Sequence, residues 1–143
     1  MKMANANDTS YADEMRIAFP EVDAGIIPYG SRVLVQIRTP KRKSKGGIIF
    51  TDDSKDTEKW NTQVAKVVAL GPLAFKNRDT LKDWAEGSWC SEGEFVRVPK
   101  YGGDRWEVPI EGRPDEPALF VIFNDLDLVG KVTGNPLSIK AFL

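Results

Sequence analysis

The chain has 143 residues, with 20 Lys and Arg against 21 Asp and Glu and a formal net charge of -1. This length is typical of one ordinary domain, and the balanced charge excludes a chain-wide field that would attract nucleic acid or an anionic membrane. The chain contains no histidine, 0 in the whole sequence. This excludes Ser-His-Asp and Cys-His catalytic arrangements and the HExxH zinc helix, so we predict that the protein is not an enzyme.

The single cysteine, Cys90, has no partner for an internal disulfide. The amino terminus has no continuous apolar stretch of the signal-peptide type, and no run approaches the roughly 20 apolar residues of a membrane helix. We therefore expect a soluble protein of the reducing cytoplasm. Without histidine, Cys90 would need Lys or Arg to activate it, and we assign it no catalytic role.

Residues 1–25 are predicted to form an N-terminal extension that is mobile or contains a short helix. Met1 to Thr9 are small and polar, as in mobile termini. Ser10, followed three residues later by Asp13, resembles an N-cap with an acidic first turn. Apolar residues then recur at helical spacing until Pro20, namely Tyr11, Met15, Ala18 and Phe19. We expect an amphipathic helix docked on its own domain; the alternative is a helix that binds a partner or a membrane surface.

After Pro28 the apolar residues alternate with a period of two, which predicts strands. Val33, Val35 and Ile37 alternate with their neighbours in the first one. The remaining strands are expected at Gln63 to Leu70, Glu94 to Val98, Arg105 to Ile110, Ala118 to Phe123 and Leu128 to Val132. Gly, Pro and Asp turns separate them, and Tyr101-Gly102-Gly103 is predicted to be a hairpin turn. The fold class is therefore all-β, a small barrel or sandwich.

Two long connections interrupt the strands, Thr39 to Asn61 and Pro72 to Ser91. Connections of this length in a compact domain are usually functional or disordered, so we expect the function here. The second connection contains a helical pattern. Its residues are Leu81, Trp84 and Ala85, with Asp79 or Thr80 as cap and Gly87 as stop.

The first connection places the pair Gly46-Gly47 and the apolar triplet Ile48, Ile49 and Phe50 between a basic and a mostly acidic block. The triplet is either a buried strand or a recognition motif that becomes ordered in a partner's apolar groove. Burying the three side chains is worth roughly 5 to 9 kcal/mol. Ordering the segment takes back about 2 to 5 kcal/mol. One such loop binds weakly, so useful affinity requires several copies and indicates an oligomer.

The basic block Lys41 to Lys45 suits a nucleic-acid patch or a nuclear address, but no basic aromatic surface accompanies it, and a solvated loop flank is the preferred interpretation. Two acidic clusters, Asp52-Asp53 and Asp125 with Asp127, leave a weak divalent cation site open, although neither has EF-hand spacing. The Gly pairs lack a phosphate-loop context. We predict no cofactor and assign no metal site.

Residues 26–50 follow one continuous pattern. It reads Ile26-Ile27-Pro28-Tyr29-Gly30-Ser31-Arg32-Val33-Leu34-Val35-Gln36 and, after Ile37 to Lys45, Gly46-Gly47-Ile48-Ile49-Phe50. Its order and spacing resemble the opening motif of the GroES family of co-chaperonins, with departures at Tyr29 and Ser31. The resemblance continues at Thr62 to Gly71, Ser91 to Val96, Tyr101-Gly102 and Leu119 to Val132.

The resemblance implies a GroES-like irregular β-barrel, a subunit of dome-shaped rings of seven that cap a GroEL-type chaperonin and enclose an unfolded client. It implies a barrel at 26–132, a mobile loop at 39–61, a roof region at 72–91 and a C-terminal tail at 133–143. In the loop, Ile48, Ile49 and Phe50 match the chaperonin-binding triplet and Gly46 and Gly47 its hinge. Tyr101 becomes a candidate for the cavity wall, and Trp84 and Trp89 become roof candidates.

The departures from the family are a longer roof region, the segment Asp104 to Pro117 and the extensions at both ends. They are similar to the elaborations of virus-encoded co-chaperonins, which would imply a phage protein in the host cytoplasm. Two other classes of function stay open. One is a small β-barrel that binds nucleic acid through Lys41 to Lys45, and the other is a non-catalytic scaffold or degenerate hydrolase subunit.

Overall fold

A computed structural model describes residues 6–39 and 63–139. The elements in these ranges are the helix α1 (Ala6–Ala18), the strands β1 (Arg32–Ile37), β2 (Val64–Leu70), β3 (Phe95–Arg97), β4 (Asp104–Ile110), β5 (Arg113–Asn124) and β6 (Gly130–Lys131), and a 3-10 turn (Asp125–Asp127). Several sequence predictions lie outside the described residues. They concern Lys41 to Lys45, Gly46, Gly47, Ile48, Ile49, Phe50 and Asp52-Asp53.

The six described strands form one sheet in the order β4-β5-β1-β2-β3-β6. Every pairing between neighbours is antiparallel. The all-β prediction is confirmed, and the six predicted strands are all present. In the pairing of β1 with β2 the register shifts between Leu34 and Val35, a bulge that bends the sheet toward a barrel.

Strand β1 is the centre of the fold, because both of its faces are covered. Val33 and Val35 pack into the main core beside Phe123. Leu34 packs on the opposite face against Phe120. The sequence pattern indicated an alternation between one apolar and one mixed face, but every residue of β1 after Arg32 is buried.

Helix α1 begins four residues before the predicted N-cap, so the prediction of Ser10 as the cap is wrong, and Ser10 lies inside the helix. No Gly or Pro interrupts the chain from Ala6 to Phe19, and each added residue contributes one more backbone hydrogen bond once a helix has started. The helix ends before Pro20 as predicted, since proline lacks the backbone N–H needed to continue it. Among the described residues, no helix is long and apolar enough to cross a membrane.

The helix predicted from the apolar spacing in 72–91 is wrong, because this connection is a series of turns. The side-chain oxygen Oδ1 of Asn77 accepts hydrogen bonds from the backbone N–H groups of Asp79 at 2.9 Å and Thr80 at 3.0 Å. Leu81 follows in the left-handed region with φ 64°. Such side-chain turns compete with helix formation. The chain then reverses, so that Lys76 and Asp83 form an isolated antiparallel bridge.

The turn Tyr101-Gly102-Gly103 is present, but it is not the hairpin turn predicted. It joins β3 to β4, and β4 pairs with β5 instead. The hairpin of this region is β4 with β5, which turns at residues 111–112. Positive φ angles of 95° at Gly102 and 72° at Gly103 allow the sharp change of direction.

Candidate functional site

The two ends of the segment 40–62 lie side by side at one end of the sheet. Strand β1 leads into the segment, β2 follows it, and Ile37 is paired with Ala65. Thr39, the last residue described before the segment, is 1% exposed. Its hydroxyl donates to the carbonyl of Pro117 at 3.3 Å. The segment on which the sequence placed the docking triplet is therefore held at its start by a buried hydrogen-bonded residue.

The other end of the segment is joined to the chain beyond β3. The backbone N–H of Val98 donates to the carbonyl of Gln63 at 2.8 Å. The side-chain amide of Gln63 donates to the carbonyl of Val98 at 3.4 Å. These two reciprocal hydrogen bonds extend the pairing of β2 with β3 by one residue pair. Both ends of the segment thus belong to the rigid barrel.

Trp84 and Trp89, the two roof candidates, pack with Phe75 on the main core. The ring centroids are 5.5 Å apart for Phe75 and Trp84, 6.1 Å for Phe75 and Trp89, and 4.8 Å for Trp84 and Trp89. Such edge and tilted arrangements are favourable for aromatic pairs beyond their burial. The connection 72–91 is therefore anchored by an aromatic cluster, and the place of the two tryptophans in a roof stays a prediction.

Asp125 holds this aromatic connection on the barrel, a role that sequence reasoning missed. The residue is 4% exposed, and its Oδ2 accepts a hydrogen bond from the backbone N–H of Phe75 at 2.9 Å. Phe75 is itself buried and has φ 62°, an uncommon conformation for a residue with a side chain. Within 6–39 and 63–139, no three metal-ligating side chains come together. The hydrogen bond with Phe75 makes Asp125 an acceptor for the backbone in this turn.

Tyr101, the candidate for the cavity wall, is 77% exposed. The ammonium of Lys100 lies 5.5 Å from the centroid of its ring. The turn that presents Tyr101 is fixed by Arg105, whose Nε donates to the carbonyl of Gly102 at 2.9 Å and whose Nη2 donates to that of Lys100 at 3.3 Å. The ring of Tyr101 is thus exposed to solvent on a turn that Arg105 holds in place, and its position on a cavity wall stays a prediction.

Two separate grooves carry exposed apolar side chains. The first has a volume of about 560 Å³ and is lined by Ile27 and Tyr29, which are 81% and 82% exposed. The second, of about 290 Å³, lies along β6 and includes Val129, which is 64% exposed. Among the described residues, β6 pairs only with β3 and leaves its other edge open. Exposed apolar patches beside an open strand edge are typical of surfaces that bind another chain.

Cys90 is 2% exposed, and burial is the main reason that the pKa of its thiol rises to about 11. The negative charge of Glu94 raises this pKa further, while Lys131 lowers it. The ammonium of Lys131 lies 2.6 Å from Oε2 of Glu94, and this hydrogen bond is the largest cause of the lowered pKa of that carboxyl. A neutral buried thiol is a poor nucleophile, so its chemistry matches the inert role expected from the sequence.

Comparison with known proteins gives a consistent result. A family model described as Chaperonin 10 Kd subunit matches residues 25–132. The co-chaperonin GroES of Thermus thermophilus is 33% identical over 112 residues, which cover 76% of this chain and 93% of the relative. Those of Aquifex aeolicus and Tetragenococcus halophilus are each 30% identical, over 107 and 105 residues. These cover 71% and 73% of this chain and 80% and 96% of the relatives.

The match extends over all six described strands, from before β1 to the end of β6. It leaves out α1 and the residues after 132, which are the two extensions noted in the sequence. The chain therefore belongs to the Chaperonin 10 Kd subunit family, the family of the GroES co-chaperonins.

Proposed function

We propose that the protein is a co-chaperonin whose subunits form a ring of seven, cap a GroEL-type chaperonin and enclose a client protein. The observation that carries the proposal is the family match over residues 25–132, because it includes the strands on both sides of the segment 40–62 and the whole barrel that presents it. The capping role requires no catalysis by this chain. Any nucleotide hydrolysis belongs to the partner.

In this proposal the docking residues are Ile48, Ile49 and Phe50, with Gly46 and Gly47 allowing the approach. The support is the sequence pattern, together with the firm attachment of Thr39 and Gln63 at the ends of the segment. Each subunit gains roughly 5 to 9 kcal/mol from burying the triplet, minus the cost of ordering. Several such weak contacts in one ring add to a firm cap that can still be released.

Ring formation requires two different surfaces that fit each other, since a closed ring with more than two subunits is built from head-to-tail contacts. The two grooves support this arrangement. One carries Ile27 and Tyr29, and the other lies beside the open edge of β6 with Val129. We propose that these surfaces of neighbouring subunits meet in the ring, and that residues 72–91 contribute to its roof.

The docking step is tested with the double variant Ile48→Ser/Ile49→Ser in a binding assay with a purified GroEL-type chaperonin and nucleotide. The matched control is Lys41→Ser/Lys43→Ser, which changes two residues of the same segment without touching the triplet. We expect the first variant to lose chaperonin binding and to keep the assembled ring, measured by native mass spectrometry. Chaperonin binding that survives Ile48→Ser/Ile49→Ser would contradict the assignment of the triplet.

The same lysine variant tests the nucleic-acid alternative. Nucleic-acid binding through Lys41 to Lys45 would weaken steeply as the salt concentration rises and would be lost in Lys41→Ser/Lys43→Ser. Docking through an apolar triplet depends much less on salt, and we expect it to be retained in that variant. Loss of chaperonin binding in the lysine variant alone would favour an electrostatic interface.

A further inference from the structure

The two extensions outside the family match meet beside the barrel residues that flank residues 40–62, which we call the docking segment. Ala18 and Phe19 at the end of α1 form a buried cluster with Val64, the first residue of β2. The ring of Phe19 contacts that of Phe95 at a centroid distance of 5.1 Å. The other side chains on this cluster are Met15, Val132, Leu137 and Ile139. One small core thus joins α1, the C-terminal residues and the re-entry point of the segment.

Helix α1 is fastened at its C-terminal end by groups from two other parts of the chain. The backbone N–H of Thr39 donates to the carbonyl of Ala18 at 2.8 Å. Nη2 of Arg113 donates to the carbonyl of Ile17 at 3.0 Å. Carbonyls in the last turn of a helix lack partners within the helix, and a cation there also interacts favourably with the helix dipole. Both hydrogen bonds therefore satisfy backbone carbonyls that have no partner within α1.

Arg113 is held in place by a half-buried ion pair. Its Nη2 and Nε lie 2.7 and 3.2 Å from Oε2 of Glu116. The two side chains are 22% and 21% exposed. Because the guanidinium is fixed by Glu116, little side-chain freedom is lost when it binds the helix. Arg113 thereby connects the β4-β5 hairpin to α1.

The C-terminal residues act on the same point. Nη1 of Arg38 donates to the carbonyl of Leu137 at 3.5 Å. Arg38 and Thr39 are the last two residues described before position 40, and each forms a hydrogen bond with one of the extensions. Strand β1 ends at Ile37, and Thr39 keeps one contact with the sheet, the hydrogen bond from its hydroxyl to the carbonyl of Pro117 in β5.

We infer that α1 and residues 133–139 form a clamp on both ends of the docking segment, with Arg113 as the positioning residue that locks α1 onto Thr39. This inference rests on the proposed function. Fixing Arg38 and Thr39, and packing against Val64, before docking removes part of the chain freedom that each loop would otherwise lose on binding the chaperonin. The extensions thus raise the docking affinity without contacting the partner.

The test compares Arg113→Gln with Arg16→Gln in the full chain. Arg16 is the matched control because it is an exposed arginine on α1 whose ion pair is with Asp13 on the same helix. In Arg113→Gln we expect exchange of the Thr39 amide hydrogen to accelerate about tenfold. The half-saturating concentration of a purified GroEL-type chaperonin should rise about three- to tenfold, as for the loss of one hydrogen bond of ordinary net strength. Arg113→Lys should restore part of the slow Thr39 exchange and part of the chaperonin affinity.

The ring mass and the melting temperature distinguish positioning from general damage, and we expect both to stay near wild type in Arg113→Gln. Should that variant fail to assemble, Leu137→Ala tests the clamp from the C-terminal side, with the same expected increases. Unchanged Thr39 exchange, or faster exchange with unchanged chaperonin affinity, would overturn the inference. Chaperonin binding retained by Ile48→Ser/Ile49→Ser would instead overturn the proposed docking, so the two failures are separable.

Discussion

At the scale of single residues, Asp125 is expected to contribute to stability through one buried hydrogen bond. Its carboxylate accepts the N–H of buried Phe75 at 2.9 Å and helps to hold that residue at φ 62°. In Asp125→Ala the N–H loses its acceptor without gaining water, which costs about 1 to 3 kcal/mol of unfolding free energy. Asp125→Asn keeps an oxygen acceptor and should lose less. Urea denaturation at a fixed protomer concentration measures these changes.

The control for this prediction is Asp127→Ala, which removes an exposed carboxylate from the same 3-10 turn. We expect it to change the unfolding free energy by no more than about 0.5 kcal/mol, as is usual at the surface. Equal losses in Asp125→Ala and Asp127→Ala would contradict the role of the Phe75 contact.

Cys90 gives a second prediction at this scale. Since burial raises the pKa of its thiol to about 11 from 9.0, the folded protein should react very slowly with a thiol reagent at pH 8 and rapidly once denatured. Between pH 9 and 11 the thiol is ionised in the unfolded chain and stays neutral in the folded chain. The stability contributed by Cys90 is therefore present below pH 9 and is lost as the pH rises toward 11. Denaturation of wild type and Cys90→Ala across this range measures the effect. Rapid labelling of the folded protein would contradict it.

At the scale of elements, the connection 72–91 contains a residue with a strained backbone, and a substitution can relieve that strain. Leu81 is 56% exposed and adopts φ 64°, which costs an ordinary residue roughly 1 to 2 kcal/mol. Asn adopts this conformation more readily, so Leu81→Asn should raise the unfolding free energy by up to about 1 kcal/mol. Ala85→Asn is the control, because Ala85 is exposed in the same connection without a positive φ. A loss of stability in Leu81→Asn would show that the Leu81 side chain contributes packing that outweighs the strain.

The elements also show how far the sequence determines the fold. The strands could be predicted because their apolar period of two is strong and Gly, Pro and Asp turns bound them. The helix predicted around Leu81 and Trp84 failed because the Asn77 side chain forms a turn and Trp84 packs on Phe75, a contact that spacing alone does not reveal. The start of α1 was missed because helix ends depend on weak local preferences.

Among the site residues, sequence reasoning could propose the docking triplet from composition but could not find its anchors. The hydrogen bond from Thr39 to Ala18 joins two distant parts of the chain, and Arg113 reaches Ile17 from the far hairpin, 96 positions away. Asp125 was grouped with Asp127 as a pair of carboxylates, because nothing local indicates that only one of them is buried. Contacts of this kind are set by the tertiary fold.

At the scale of the whole molecule, the proposed ring predicts that a charge introduced at the subunit interface prevents assembly. Val129 is 64% exposed beside the open edge of β6. In Val129→Arg a charge without a partner would be buried between subunits, which costs several kcal/mol at each interface. We expect native mass spectrometry to show seven subunits for wild type and mostly monomers for this variant. Tyr11→Arg, on the exposed part of α1, should keep the ring; a wild-type protein that is a stable monomer would contradict the assembly.

The capping of a chaperonin is the central claim, and electron microscopy of the mixture tests it most directly. The assembled protein is mixed with a purified GroEL-type chaperonin and nucleotide, and side views are examined for a dome at the end of the chaperonin cylinder. We predict domed particles with wild type and bare cylinders with Ile48→Ser/Ile49→Ser. Bare cylinders with a wild-type protein that has been shown to form its ring would contradict the account.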